Sequence, residues 1–517
     1  MQKFNNPILP GFYPDPSVCR VGEDYYLVTS TFAYFPGVPI FHSRDLVHWE
    51  QIGNILTRDS QLPVQNVEVS RGIFAPTIRE HKGTFYMITT NVSSGGNFLV
   101  TAKNPKGPWS EPFYLKGADG IDPSLYFEGN KCWYHGTCEK KDGAYYGDNE
   151  IYLQELDLKK MQLVGERYVI WHSALKNAVW PEGPHIYKKD DWYYLLISEG
   201  GTAHEHAITV ARSKTLTGYY EGHKSNPILT HRHLGKDYPI VNVGHGDFVE
   251  TQNGEWWMVL LASRPYGGRY RNLGRETFLA PVTWEDGWPV VNYGIGLVLD
   301  SERFPNLPPS PFIQPVSFDF CSLSEIPLNM MFLRNPVTTD YTLKPDGLHL
   351  RLNKNKITEN ATVSYLCIRQ QHKSFEAVTQ MKFSPTSKNE TAGLVILQNS
   401  AYNFQFTLSK NGRKKGEYCL CVFKTEKSET QTLAEIPITL PDDRISLKIA
   451  AREQNLSFFY GAEQQFFLPA FENADARILN TDTAGGFVGN TIGLYASSNG
   501  AESKKHAVFS EFMYINN

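Results

Sequence analysis

Five stretches of the chain can be laid over one another, and that repeat constrains the fold more than any other feature. They begin at Asp15 (Asp-Pro-Ser-Val), Ala75 (Ala-Pro-Thr-Ile), Asp122 (Asp-Pro-Ser-Leu), Gly183 (Gly-Pro-His-Ile) and His245 (His-Gly-Asp-Phe), with starts 60, 47, 61 and 62 residues apart. Each reads as a short apolar strand, a polar turn with Gly, Asn or Asp, and a strand opening on aromatics such as Tyr25-Tyr26 or Trp256-Trp257. That is the signature of a β-hairpin. A third strand follows each hairpin, as in Pro39-Ile-Phe-His and Ile151-Tyr-Leu-Gln, and a fourth lies near Trp49, Trp109, Leu163, Tyr219 and Trp288. Four antiparallel strands repeated five times, with no helical spacing between them, predict a five-bladed β-propeller over residues 1–300. A many-stranded sandwich would not keep a fixed phase.

Residues 301–315 hold five prolines and read as a stiff, extended linker. Over 316–517 short alternating strands continue, for example Leu348-His-Leu-Arg-Leu and Phe404-Gln-Phe-Thr-Leu, but the phase and the paired aromatics are gone. This half predicts a β-sandwich, so the whole chain is expected to be all-β. With 41% apolar and 20% charged residues it is a globular chain. A net charge of −4 argues against a nucleic-acid partner, and no apolar run reaches the roughly 18 residues that span a bilayer. Met1 to Asn6 is polar and runs into a Pro-containing segment, so no signal peptide is read. Compartment stays open between cytoplasmic and periplasmic, the latter requiring a trimmed leader. Subunit number also stays open, a homo-oligomer included. Seven Cys, an odd number, do not suggest a disulfide framework.

In a propeller the first strand of each blade lies beside the central channel, so residues of equal phase ring the axis at similar height. Asp15 and Asp122 share a phase, and Glu182 falls one residue earlier in Trp180-Pro-Glu-Gly-Pro. Three carboxyls from blades one, three and four are expected at one mouth of the channel; Asp247 sits two residues in from the start of blade five, beside His245. A lone Asp-Pro is more simply a turn-starting Asp. The fold itself does not demand Asp, because Ala75 and His245 stand at the same phase. Converging carboxyls repel, which raises at least one pKa and costs stability; a functional reason is then the better account. A divalent cation would want six or more oxygens, whereas glycoside hydrolysis wants a carboxylate and a carboxylic acid about one acetal. The 28 Tyr, 30 Phe and 10 Trp favour a sugar, although most must be core. Phe32, Tyr34, Phe35, Phe74 and Trp180, near blade starts or loops, are the pocket candidates. His204-Glu-His206 lacks the spacing of a zinc site, and no cofactor fingerprint is present.

Four ordered motifs, Asn6-Pro-Ile-Leu-Pro-Gly-Phe-Tyr-Pro-Asp-Pro-Ser, Gly120-Ile-Asp-Pro-Ser-Leu, Trp180-Pro-Glu-Gly-Pro-His and Gly244-His-Gly-Asp, resemble glycoside hydrolase family 43. The likeness is to its two-domain β-xylosidases and α-L-arabinofuranosidases and covers essentially the whole chain. It implies an inverting hydrolase with Asp15 as general base, Glu182 as general acid and Asp122 raising the pKa of Glu182 and orienting it. It further implies Arg275 as the active-site arginine, paired with Asp122 or a sugar hydroxyl, and His245 as the axial histidine that holds a water or cation in relatives. Gly485-Gly-Phe-Val-Gly-Asn resembles the sandwich segment that sets a Phe, here Phe487, over the pocket, which makes such enzymes exo-acting. Gly72-Ile-Phe-Ala-Pro departs from the Trp of the best-known xylosidases, which moves the expectation toward α-L-arabinofuranose ahead of β-D-xylose. Two other readings stay on the table: a non-catalytic sugar-binding propeller, and a retaining, fructosyl-transferring one.

Overall fold

The computed structural model describes residues 2–412, 414, 416–462 and 466–516. Blade one comprises Ser17–Val21, Asp24–Val28, Gly37–Ser43 and Glu50–Leu56, hydrogen-bonded antiparallel in that order. Blades two to five repeat it from the inner strands Thr77–His81, Ile121–Glu128, Glu182–Lys189 and Val241–Glu250. The five inner strands pack against one another around the axis. Their hairpins close through tight turns. Gly22, the Lys82-Gly83 pair, Gly129 and Asp190 take positive φ there, matching the twist of the strands they join.

The recurrent aromatics now have a role. At least one of each group is buried (Tyr25, Phe85, Tyr134, Tyr194, Trp257), and rings meet across blade boundaries, as in Tyr26–Phe85 at 5.0 Å and Tyr86–Phe127 at 5.2 Å. Each pair of neighbouring blades encloses its own apolar wedge. Each blade comes from one continuous segment, so blade five must close on blade one without sharing a strand. Asn6 bonds Leu279 in both directions at 3.0 Å, Thr277 Oγ1 donates to Tyr13 O at 2.6 Å, and Lys3–Asn5 pairs with Ser301–Arg303. From 304 to 317 there is no strand.

The remaining strands form two antiparallel sheets packed face to face on a core that includes Phe404, Phe458 and Phe509. One of these sheets ends in the propeller: Tyr34–Phe35 pairs with Met331–Leu333. Tyr34 and Phe35, expected in the pocket, are therefore junction residues. Tyr34 is fully buried, with its hydroxyl 3.1 Å from Thr491 Oγ1. Among the described residues no helix is long and apolar enough to cross a membrane.

Candidate active site

The three carboxyls sit where the inner strands begin, and the backbone there is irregular. The ladder shifts register between Ile121 and Ser124, between Glu182 and His185, and between Gly244 and Asp247. Such bulges re-aim side chains and recur beside active sites. The residues at the repeat start, Asp15, Asp122, Gly183 and His245, all take positive φ (55°, 52°, 58° and 47°), as a short polar side chain or glycine tolerates best. At Gly183 a Cβ would also stand 3.0 Å from the His245 ring, a close approach that glycine avoids.

These turns open into a cavity of about 290 Å³ whose wall includes Asp15, Asp122, Glu182, His245, Arg275 and Trp180. Phe32, Phe74 and Phe487 add an aromatic side to it. The structure thus brings all nine expected residues to one pocket. Phe487 arrives from the sandwich domain on a turn whose N–H donates to Ser70 Oγ at 2.9 Å. Its ring stacks on Phe32 at 6.3 Å and meets Phe74 edge-on at 5.6 Å. Trp180 lies against the backbone of Gly147 and Gly201, where a Cβ would collide with the indole.

The carboxyls are in different electrostatic states. Burial favours the neutral form of Asp15. Arg275 Nη1 donates to its Oδ1 at 2.9 Å, His245 Nδ1 stands 4.0 Å away, and Ser30 Oγ donates to Oδ2 at 2.5 Å. Together these outweigh burial and hold Asp15 below the usual carboxylate range. Glu182 is driven the other way, first by burial and then by the negative charges of Asp122 and Asp15, and lies well above its ordinary value. Among the described residues none bonds its carboxyl, which leaves the proton free for a ligand. Asp122 is also raised, by burial and the charge of Asp15, against the opposing pull of His245 and the Gly183 N–H at 3.1 Å. One ionised and one protonated carboxyl facing one cavity is the arrangement acid–base catalysis requires.

One detail differs from the sequence reading. Arg275 pairs with Asp15, not Asp122, and also reaches Thr202 Oγ1 at 3.0 Å and Phe487 O at 3.4 Å. Asp247 lies one layer deeper than the carboxyl ring, bonded to Arg79 and Tyr187. Sequence reasoning missed Tyr146 and Thr202, which both line the cavity. Tyr146 is 80% exposed and packs edge-on against Trp180 at 5.5 Å. Neither holds a repeated phase, so no signal in the sequence marked them. Among the described residues no group of three or more His, Cys, Asp and Glu side chains stands so as to hold a metal ion. His245, which the resemblance implied holds a water or a cation, has no such cluster of side chains around it among the described residues.

Comparison with known proteins agrees with this geometry. The family model described as glycosyl hydrolases family 43 matches residues 4–289, and the beta xylosidase C-terminal concanavalin A-like domain matches 317–515. A xylosidase/arabinosidase of Butyrivibrio fibrisolvens is 51% identical over 98% of both chains. The non-reducing end alpha-L-arabinofuranosidase BoGH43B of Bacteroides ovatus is 38% identical, over 98% of this chain and 94% of its own. Among solved structures, the xylan beta-1,4-xylosidase of Bacillus halodurans C-125 superposes with a TM-score of 0.92 at 36% identity, covering 99% of this chain and 100% of that one. The chain belongs to glycosyl hydrolase family 43, and it is a glycosidase built as a five-bladed propeller with a C-terminal β-sandwich.

Proposed function

We propose that the protein is an exo-acting, inverting hydrolase that releases terminal pentose from the non-reducing ends of plant hemicellulose or its oligosaccharides, α-L-arabinofuranose first and β-D-xylose second. The opposite protonation of Asp15 and Glu182 in one small cavity carries this reading. Glu182 gives its proton to the glycosidic oxygen as the C1–O bond breaks. Asp15 takes a proton from the water whose oxygen bonds C1 from the opposite face. The products are the free alcohol and the pentose of inverted configuration, and the two carboxyls then exchange protons with solvent. Asp122 keeps Glu182 protonated, and Arg275 keeps Asp15 ionised.

A cavity of about 290 Å³ is at the small end for ligand sites, which suits one sugar ring and the start of the next. The Phe487 roof blocks a chain passing through, which supports exo action. The sugar preference rests on Phe74 in Gly72-Ile-Phe-Ala-Pro and on the names of the two relatives above. The test is release of p-nitrophenol from both pentosides alongside turnover of unactivated oligosaccharides. Glu182→Ala is expected to abolish the latter and spare the former. Equal loss on both would remove the acid assignment. The product anomer, read by NMR at early time, separates inversion from a retaining mechanism.

A further inference from the structure

One residue layer below the cavity, a buried polar hub joins all five blades. At its centre Asp247 of blade five accepts hydrogen bonds from Ser17 Oγ at 2.7 Å and Val18 N at 3.0 Å in blade one. Arg79 of blade two adds two, Nη1 to Oδ2 at 2.9 Å and Nη2 to Oδ1 at 3.2 Å, and Tyr187 Oη of blade four adds one at 2.5 Å. Arg79 Nη2 also donates to His185 Nδ1 of blade four at 3.0 Å, and Ser124 Oγ of blade three stands 3.1 Å from the same nitrogen. Asp247, Ser17, Ser124 and His185 are buried. The Asp247 carboxylate stays ionised because the Arg79 charge and the hydrogen bonds from Arg79 and Tyr187 offset its burial. None of the hub residues lines the cavity, so none touches a sugar.

Their places in the sequence connect them to the chemistry. Ser17 lies two residues beyond Asp15, Ser124 two beyond Asp122, His185 three beyond Glu182 and Asp247 two beyond His245. In blades three, four and five the ladder register breaks and then resumes at the hub residue itself. Asp122 and Glu182 thus sit at the start of short irregular segments anchored at the hub, and Asp15, at positive φ, lies two residues before the hub's Ser17, where the regular blade-one ladder begins. The distance between carboxyls on different blades is set by how the inner strands stand relative to one another, and the hub fixes that.

We propose that Ser17 and Ser124 are positioning residues, Ser17 for the base and Ser124, through His185, for the acid and its modulator. This rests on the assignment of Asp15 as base and Glu182 as acid. An inverting reaction needs the two carboxyls at a set separation, and misplacement by about 1 Å costs on the order of a hundredfold in rate. Removing one anchor shifts one carboxyl by less, and about a tenfold loss of kcat is expected.

The test is the leaving-group dependence of kcat for full-length Ser17→Ala and Ser124→Ala. A displaced base slows every substrate, so Ser17→Ala should lose about tenfold on aryl pentosides and on oligosaccharides alike. A displaced acid slows only substrates that need protonation, so Ser124→Ala should lose about tenfold on oligosaccharides and under about twofold on activated aryl pentosides. A purely structural role would lower Tm and leave that split untouched. Folded variants with unchanged kcat on both substrates overturn the proposal, as does an equal loss from Ser124→Ala. If Ser17→Ala does not fold, Tyr187→Phe, which removes the bond to Asp247 and the one its oxygen accepts from Phe248 N at 2.8 Å and adds no void, takes its place: a folded Tyr187→Phe with unchanged kcat overturns the proposal too. Failure of the acid assignment is read separately, from wild type against Glu182→Ala.

Discussion

Replacing Arg275 with Gln removes the strongest of the influences that keep Asp15 ionised. Burial alone would favour the protonated acid, and the guanidinium, with Nη1 2.9 Å from Oδ1, is the first group that opposes it. Unit charges about 4 Å apart at an effective dielectric of about 20 interact by about 4 kcal/mol. His245 and the Ser30 hydroxyl stay in place and offset part of the loss. If only a third of the interaction is felt after relaxation, about 1.4 kcal/mol, the base loses a factor of about ten in acidity. The direction follows: Asp15 must be ionised to take a proton, so its pKa sets the acid limb of kcat/KM in the free enzyme. That limb is expected to move to higher pH by at least about one pH unit in Arg275→Gln, and by less in Arg275→Lys, which keeps the charge. An activated aryl pentoside is the substrate of choice, because it needs no acid and the limb then reports the base alone. A lower plateau with the acid limb unmoved would falsify the electrostatic account and leave Arg275 as a sugar contact only.

The raised proton affinity of Glu182 has a stability consequence of opposite sense. Its folded-state pKa lies above the unfolded value of about 4.3, so the folded protein binds more protons and loses stability as pH rises through that range. Glu182→Gln should therefore raise Tm at pH 7–8, by about 1–2 °C for each kcal/mol relieved in a chain of this length, with the gain vanishing toward pH 4. A gain independent of pH would assign it to packing. Phe487→Ala removes two ring contacts worth about 0.5–1.5 kcal/mol each and opens the roof. KM for short pentosides should rise by about tenfold, and turnover of polymer relative to oligosaccharide should increase. An unchanged KM would mean that the roof does not meet the sugar.

Much of the site was legible because it repeats. Asp15 and Asp122 hold one phase of a fivefold pattern and Glu182 stands one residue from it, so the propeller geometry alone gathers them. What failed to show were relations between segments distant in the chain. Arg275 was assigned to Asp122 as readily as to a sugar, because nothing local says that blade five closes on blade one. The Leu9–Thr277 bridge at that closure sets Arg275 beside Asp15. Tyr34 and Phe35 resembled pocket aromatics, but their strand partner, Met331–Leu333, lies some three hundred residues away. Tyr146 and Thr202 belong to loops without phase, where sequence carries composition and little geometry.

The Arg275–Asp15 pair spans 260 residues, and it crosses the seam where blade five meets blade one. The sandwich domain grips both sides of that seam. Arg369 and Arg334 donate to Phe12 O and Val67 O on the blade-one side, at 2.8 and 2.6 Å. Gln370 and Gln454 hold Tyr266 and Asn272 on the other, at 3.0 and 2.9 Å. The second domain is in this sense a staple on a split ring, and the ionised base is the latch that records whether the ring is shut. A chain cut between 304 and 317 would keep all three carboxyls and Arg275, with the seam held by the propeller's own bonds alone, and would lose both the outer grip on the two lips and the Phe487 roof.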